Sequence, residues 1–108
     1  SHKDPQQVVV NGPLRLDATA RTTRYHGRDV RLSESEFRLC LALAERAGRP
    51  MTHDELIAIV WGSGDLPGGR EMLKTSIWRL RLRLTQVNPV TVIESVRGTG
   101  YMMVKLSG

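Results

Sequence analysis

Between residues 70 and 84 the apolar positions Leu73, Ile77, Leu80 and Leu84 recur at i, i+4, i+7 and i+11. At about 100° per residue they fall within about 60° of one another, so a helix here has one stripe that must be buried. The same stretch carries Arg70, Lys74, Arg79, Arg81 and Arg83 against one acid, Glu71, which is +4 of the chain's net +5. The bases lie off the stripe. Any fold for this chain therefore has to pack one side of the helix and leave cations on the other. Such a surface suits a polyanion, and nucleic acid is the first to consider.

A chain of 108 residues allows one domain with a core of its own. Its 40% hydrophobic and 25% charged residues fit a folded protein rather than a disordered one. The isoelectric point near 10.1 again asks for an anionic partner. No run approaches about 18 consecutive apolar residues and no signal-peptide pattern opens the chain, so a cytoplasmic domain off the membrane is expected. The start Ser1-His2-Lys3, without Met, reads as a cloning scar or an excised fragment. Residues 1–7 are accordingly expected to be a tag or linker remnant, residues 8–106 the domain and residues 107–108 a tail. Cys40, the lone cysteine, sits in an apolar helical pattern as an inert buried thiol would. His2, His26 and His53 are scattered, and no phosphate loop or nucleophile–base spacing occurs. Neither a metal, nor a cofactor, nor catalysis is expected.

Along the chain, Val8-Val9-Val10, Leu14-Arg15-Leu16, a polar segment to Tyr25, and Val30-Arg31-Leu32 are short and alternating. With turns at Asn11-Gly12-Pro13 and His26-Gly27, they predict a small antiparallel sheet of three or four strands. Ser33 with Glu36 is a capping box opening a first helix, in which Phe37, Cys40, Leu41 and Ala44 recur before Gly48 and Pro50 stop it. Thr52 with Glu55 repeats the box for a shorter helix carrying Leu56, Ile59 and Val60. Residues 61–69 follow as a glycine-rich loop, and the basic helix is the third. Residues 90–96 and 101–104 then read as two strands joined by Arg97-Gly98-Thr99-Gly100, a tight hairpin. The class is α+β: a winged helix-turn-helix with an N-terminal antiparallel sheet, three helices and a C-terminal β-hairpin wing.

Two helices with the second strongly basic make a helix-turn-helix, whose second helix would lie in the DNA major groove. Nine loop residues exceed the usual tight turn, so this is a variant. The hairpin puts Arg97 at a β tip, from which a guanidinium can enter a narrow minor groove. Trp78 lies off the stripe, where it either packs on another element or a second protomer or meets a thymine methyl. Trp61 is expected to bury its ring and turn its N–H outward.

The order Leu32-Ser-x-x-Glu-Phe37, Thr52-x-x-Glu-Leu56 with Val60-Trp61, Ile77-x-Arg-Leu-Arg81 and Val96-Arg-Gly-Thr-Gly-Tyr101 resembles the winged-helix effector domain of OmpR/PhoB-type response regulators. The resemblance spans about residues 8 to 106. It implies that the third helix is the recognition helix, with Lys74, Thr75, Trp78, Arg79 and Arg81 as candidates for base and phosphate contact. It implies a minor-groove role for Arg97, with Thr99 in the same turn, and phosphate contacts for Tyr101 and the indole of Trp61. It also implies that the loop holding Gly62, Ser63, Gly64, Asp65, Leu66 and Pro67 touches RNA polymerase. The chain departs from the family in four places, in three of which Lys74 replaces an acid, Ser76 a histidine and Trp78 a basic residue. Glu71 stands where an arginine is usual, leaving Arg70 one step away as the candidate for that phosphate.

The function expected is sequence-specific binding of double-stranded DNA, as the output domain of a bacterial two-component transcription regulator. By resemblance, two copies sit as a dimer on direct repeats, and the receiver domain that takes the phosphoryl group lies outside this chain. One alternative joins the same winged helix to a membrane anchor or another sensor. Another docks its basic face on an acidic protein partner.

Overall fold

The computed structural model describes residues 7–107; the expected remnant up to residue 6, with His2, and Gly108 of the expected tail lie outside them. Four strands open the chain: β1 (Val8–Asn11), β2 (Leu14–Asp17), β3 (Thr22–Tyr25) and β4 (Arg28–Asp29). They form an antiparallel sheet in the order β1-β2-β3-β4. Alternation sets its inner face, for Leu14, Leu16, Thr23 and Tyr25 are buried while Arg15 and Arg24 between them are exposed. The expected strand at residues 30–32 is instead Arg28–Asp29; beyond it Val30 adds one bond, its N–H donating to the Thr23 carbonyl at 2.9 Å.

Helix α1 (Glu34–Glu45) begins at the expected capping box. The Glu36 amide donates to Ser33 Oγ at 3.2 Å and the Ser33 amide to Glu36 Oε1 at 3.0 Å. Of the expected stripe, Phe37, Cys40 and Ala44 are buried and Leu41 is half-buried, but Leu39, Ala42 and Leu43 are buried as well. The cause is position: α1 packs on the other two helices, the first strand and the last, and such a helix must be apolar on most sides. Burial pushes the Cys40 thiol up to about 12, so it stays a neutral packing group.

A two-residue strand that the sequence reading missed, β5 (Met51–Thr52), leads into α2 (His53–Trp61) and its own capping box. In α2 the buried residues are Leu56, Ile57 and Val60; Ile59, read with Leu56 and Val60 as the helix's apolar residues, is 41% exposed. The loop to α3 (Gly69–Thr85) is shorter than expected, covering residues 62–68, because α2 keeps Trp61 and α3 starts at Gly69. The last two strands are β6 (Ile93–Val96) and β7 (Gly100–Met103), and β7 lies between β5 and β6. The strand expected from residue 90 starts at Ile93, with Val90 and Thr91 exposed ahead of it.

Two long-range contacts tie these parts together. The buried Asn11 amide donates to the Val104 carbonyl at 2.9 Å and accepts from the Leu106 amide at 2.8 Å, joining the first strand to the chain's end. Glu36 accepts from Arg83 Nε at 2.7 Å, joining the start of α1 to the end of α3. The sequence reading had only Glu71 to balance the basic helix; the structure brings in this second acid across the core.

Burial works to raise the Glu36 carboxyl, but the Ser33 amide and the Arg83 guanidinium outweigh it and hold the group below the ordinary carboxylate range. A carboxylate depressed in the folded state stabilises the fold at neutral pH, and that contribution is lost as pH falls through its folded value. Glu36→Gln is therefore expected to cost about 1–2 kcal/mol at pH 7, modest because water can re-solvate the partly exposed Arg83. The wild-type and variant melting temperatures should converge as pH drops from about 5 toward 3. A constant gap across that range would show that Glu36 acts by shape alone.

Candidate nucleic-acid interface

All four residues of the α3 stripe are buried, Leu73 and Leu80 fully, as the spacing predicts. Gly69 starts the helix against α2, where an added Cβ would come within 3.0 Å of Ile57. The opposite face is open. Arg70, Lys74, Thr75 and Arg79 are exposed, and Trp78 is 61% exposed, so no other element of the described chain buries it. Among the described residues Arg70, Lys74 and Arg79 take part in no ion pair, whereas Arg83 of the same helix does, as do Arg21, Arg24, Arg38 and Arg46 elsewhere.

The five bases of the helix thus divide. Arg83 turns inward to Glu36. Arg81 turns to the wing: its Nε donates to the Ile93 carbonyl at 2.9 Å and Nη2 to Ser95 Oγ at 3.0 Å, with the guanidinium 5.6 Å from the Tyr101 ring centroid. Two of the three guanidinium nitrogens of Arg81, expected among the DNA contacts, are thus hydrogen-bonded within the domain. No local spacing signalled this. Its partners lie 12 and 14 residues away, and Ser95 drew no attention in the sequence.

The wing's turn is closed on itself and tied to α2 at one end. The Thr99 amide donates to the Val96 carbonyl at 3.0 Å, and the His53 amide donates to the Thr99 carbonyl at 3.1 Å, so the turn is hung on the first residue of α2. Arg97 is exposed at the tip, beside Gly98 in the left-handed region. Tyr101 is half-buried and meets His53 edge-on, with centroids 5.7 Å apart.

Two open grooves flank α3. One, toward the wing, is lined by Glu71, Lys74, Thr75, Trp78, Arg81, Ser95 and Tyr101; the other, toward α2, by Trp61, Glu71, Thr75 and Arg79 among others. The fold therefore brings together seven expected site residues on either side of Thr75 and leaves Arg70, Arg97 and Thr99 outside both grooves. Trp61 is half-buried against the core. In the loop, Gly62, Ser63, Asp65 and Pro67 are exposed, and Ser63 Oγ donates to Asp65 Oδ1 at 2.6 Å. Gly64 and Leu66 are half-buried: Leu66 packs on the core, and a Cβ on Gly64 would sit 2.9 Å from the Asp54 carbonyl. Those two anchor the loop rather than present it.

The family described as "Transcriptional regulatory protein, C terminal" matches residues 27–103, from the turn before β4 to the end of β7. The chain belongs to this family of OmpR/PhoB-type C-terminal domains. The family match takes in the three helices and the wing, and similarity to whole regulators extends through the N-terminal sheet. The OmpR/PhoB-type domain is 37% identical to the transcriptional regulatory protein VxrB of Vibrio cholerae over 103 residues, 95% of this chain and 40% of that protein. It spans about 40% of the length of the relatives it matches. Among solved structures it is similar to the Klebsiella pneumoniae RstA DNA-binding domain in complex with its RstA box, with TM-score 0.80, 28% identity and coverage of 93% of this chain and 99% of that one. It is likewise similar to the response regulator DrrB of Thermotoga maritima, an OmpR/PhoB homologue, with TM-score 0.75, 31% identity and coverage of 90% and 44%. No helix among the described residues is long and apolar enough to cross a membrane.

Proposed function

We propose that this domain binds double-stranded DNA in a sequence-specific manner, as the output part of a bacterial two-component transcription regulator. The observation that carries the reading is the free cationic face of α3, with Arg70, Lys74 and Arg79 outside every described ion pair, set beside an exposed arginine at the wing tip. Support comes from the RstA domain, which was solved on its DNA box. In this reading α3 enters the major groove, where Lys74, Thr75, Trp78 and Arg79 face bases and phosphates. Arg97 enters the adjacent minor groove, and Trp61, Arg70, Thr99 and Tyr101 meet the backbone. The exposed part of the loop, Gly62, Ser63, Asp65 and Pro67, is left for RNA polymerase. Dimers on direct repeats, a receiver domain outside this chain and a cytoplasmic setting complete the proposal, which assigns the domain no chemical step.

Equilibrium binding to duplex DNA between 50 and 200 mM salt tests it. Log affinity should fall linearly with log salt, by a slope of about 0.9 for each phosphate neutralised. Binding that is flat over this range would sink the reading and favour an acidic protein partner. Arg97→Ala should further weaken binding by about 1–3 kcal/mol at sites with an A·T-rich minor groove. An equal loss on all sequences would reduce Arg97 to a phosphate contact.

A further inference from the structure

We propose that Arg81 is a positioning residue, a brace that fixes the wing against α3 and so couples readout in the two grooves; the coupling rests on the DNA reading above. The guanidinium is planar, and its Nε and Nη2 hold one strand at two points, the Ile93 carbonyl and the Ser95 hydroxyl, while its face covers Tyr101 on the neighbouring strand. Both wing strands are thus fastened to a single side chain on the recognition helix. Apolar packing does not do this alone, because a cavity of about 60 Å³ lies beside the attachment, lined by Arg81, Leu84, Val92 and Ile93 among others. The polar attachments beside this cavity set the angle between helix and hairpin. That angle decides whether Arg97 reaches the minor groove when α3 is seated in the major groove. Lysine carries the same charge but has no planar fork, so it cannot hold two acceptors and an aromatic face together.

The first measurement needs no DNA. Amide hydrogen exchange in β6 and β7 should speed up about tenfold or more in both Arg81→Ala and Arg81→Lys, and remain as in the wild type in Arg79→Ala. Unchanged exchange in the wing of Arg81→Lys would overturn the brace. The second measurement is a double-mutant cycle of Arg81→Lys with Arg97→Ala, on a duplex selected from a random pool by the wild type. The brace predicts about tenfold weaker binding for Arg81→Lys, an unchanged salt slope, and a smaller effect of Arg97→Ala in its presence. Full retention of affinity by Arg81→Lys, with strictly additive effects, would make Arg81 a charge contact instead. Ser95→Ala, which leaves every charge in place, should move exchange and affinity in the same direction by less. If the wild type selects no duplex at all, the DNA reading fails while the exchange result still decides the brace.

Discussion

Gly100→Ala is expected to lose at least about 3 kcal/mol of stability and to melt more than about 10 °C below the wild type. A Cβ at this position would overlap the Met51 carbonyl oxygen and lie 2.9 Å from the Thr52 carbonyl carbon and 3.0 Å from the His53 nitrogen. All three atoms are backbone, so no side chain can swing away. Gly100 pairs with Thr52 where β7 meets β5, and relief would require the two strands to part. Parting them would also endanger the His53–Thr99 hydrogen bond and, with it, the seat of the wing on α2. Gly98→Ala is the matching control. It is a glycine of the turn itself, at φ +76, where an added Cβ meets open space, so only backbone strain of about 1–2 kcal/mol is expected. Thermal melts followed by circular dichroism separate the two. A Gly100→Ala protein that melts with the wild type would show that β5 does not press on β7.

Leu80→Ala should cost about 2–5 kcal/mol, because a fully buried leucine in the middle of α3 leaves a cavity among residues that cannot close on it. Its neighbour in sequence points the other way. Arg79→Ala should leave stability within about 0.5 kcal/mol while weakening DNA binding, since its side chain is exposed and outside the described ion pairs. Measured below the melting range, the folded Leu80→Ala protein should bind DNA as the wild type does. The pair tests the division of one helix into a packing face and a contact face. An unchanged melting temperature in Leu80→Ala would show the stripe to be assigned wrongly.

Much of the fold was legible because its signals are local. Each capping box joins residues three apart, and the stripe joins residues three or four apart, so both act within one or two helical turns. The wing was legible from its glycines. Short apolar runs misled where local preference had no packing partner: Ile59 is on the outer side of α2, and Val90 stands ahead of the strand it was assigned to. The two-residue strand at Met51–Thr52 exists only because β7 lies beside it, and nothing in its own sequence marks it.

The sequence by itself determined the order of the N-terminal sheet, the three helices and the wing, the family, the buried stripe of α3 and the excess of positive charge on that helix. The family follows from the resemblance of four motifs, and the rest from periodicity and spacing along one chain. Tertiary structure decided which of those charges are free. Glu36 reaches Arg83 from 47 residues away, and Ile93 and Ser95 hold Arg81 from the wing. A charge becomes a contact or a brace according to what lies within hydrogen-bond reach, and that distance is set by how the helices and the hairpin pack. The same helix therefore presents Arg70, Lys74 and Arg79 outward and keeps Arg81 and Arg83 for the domain itself.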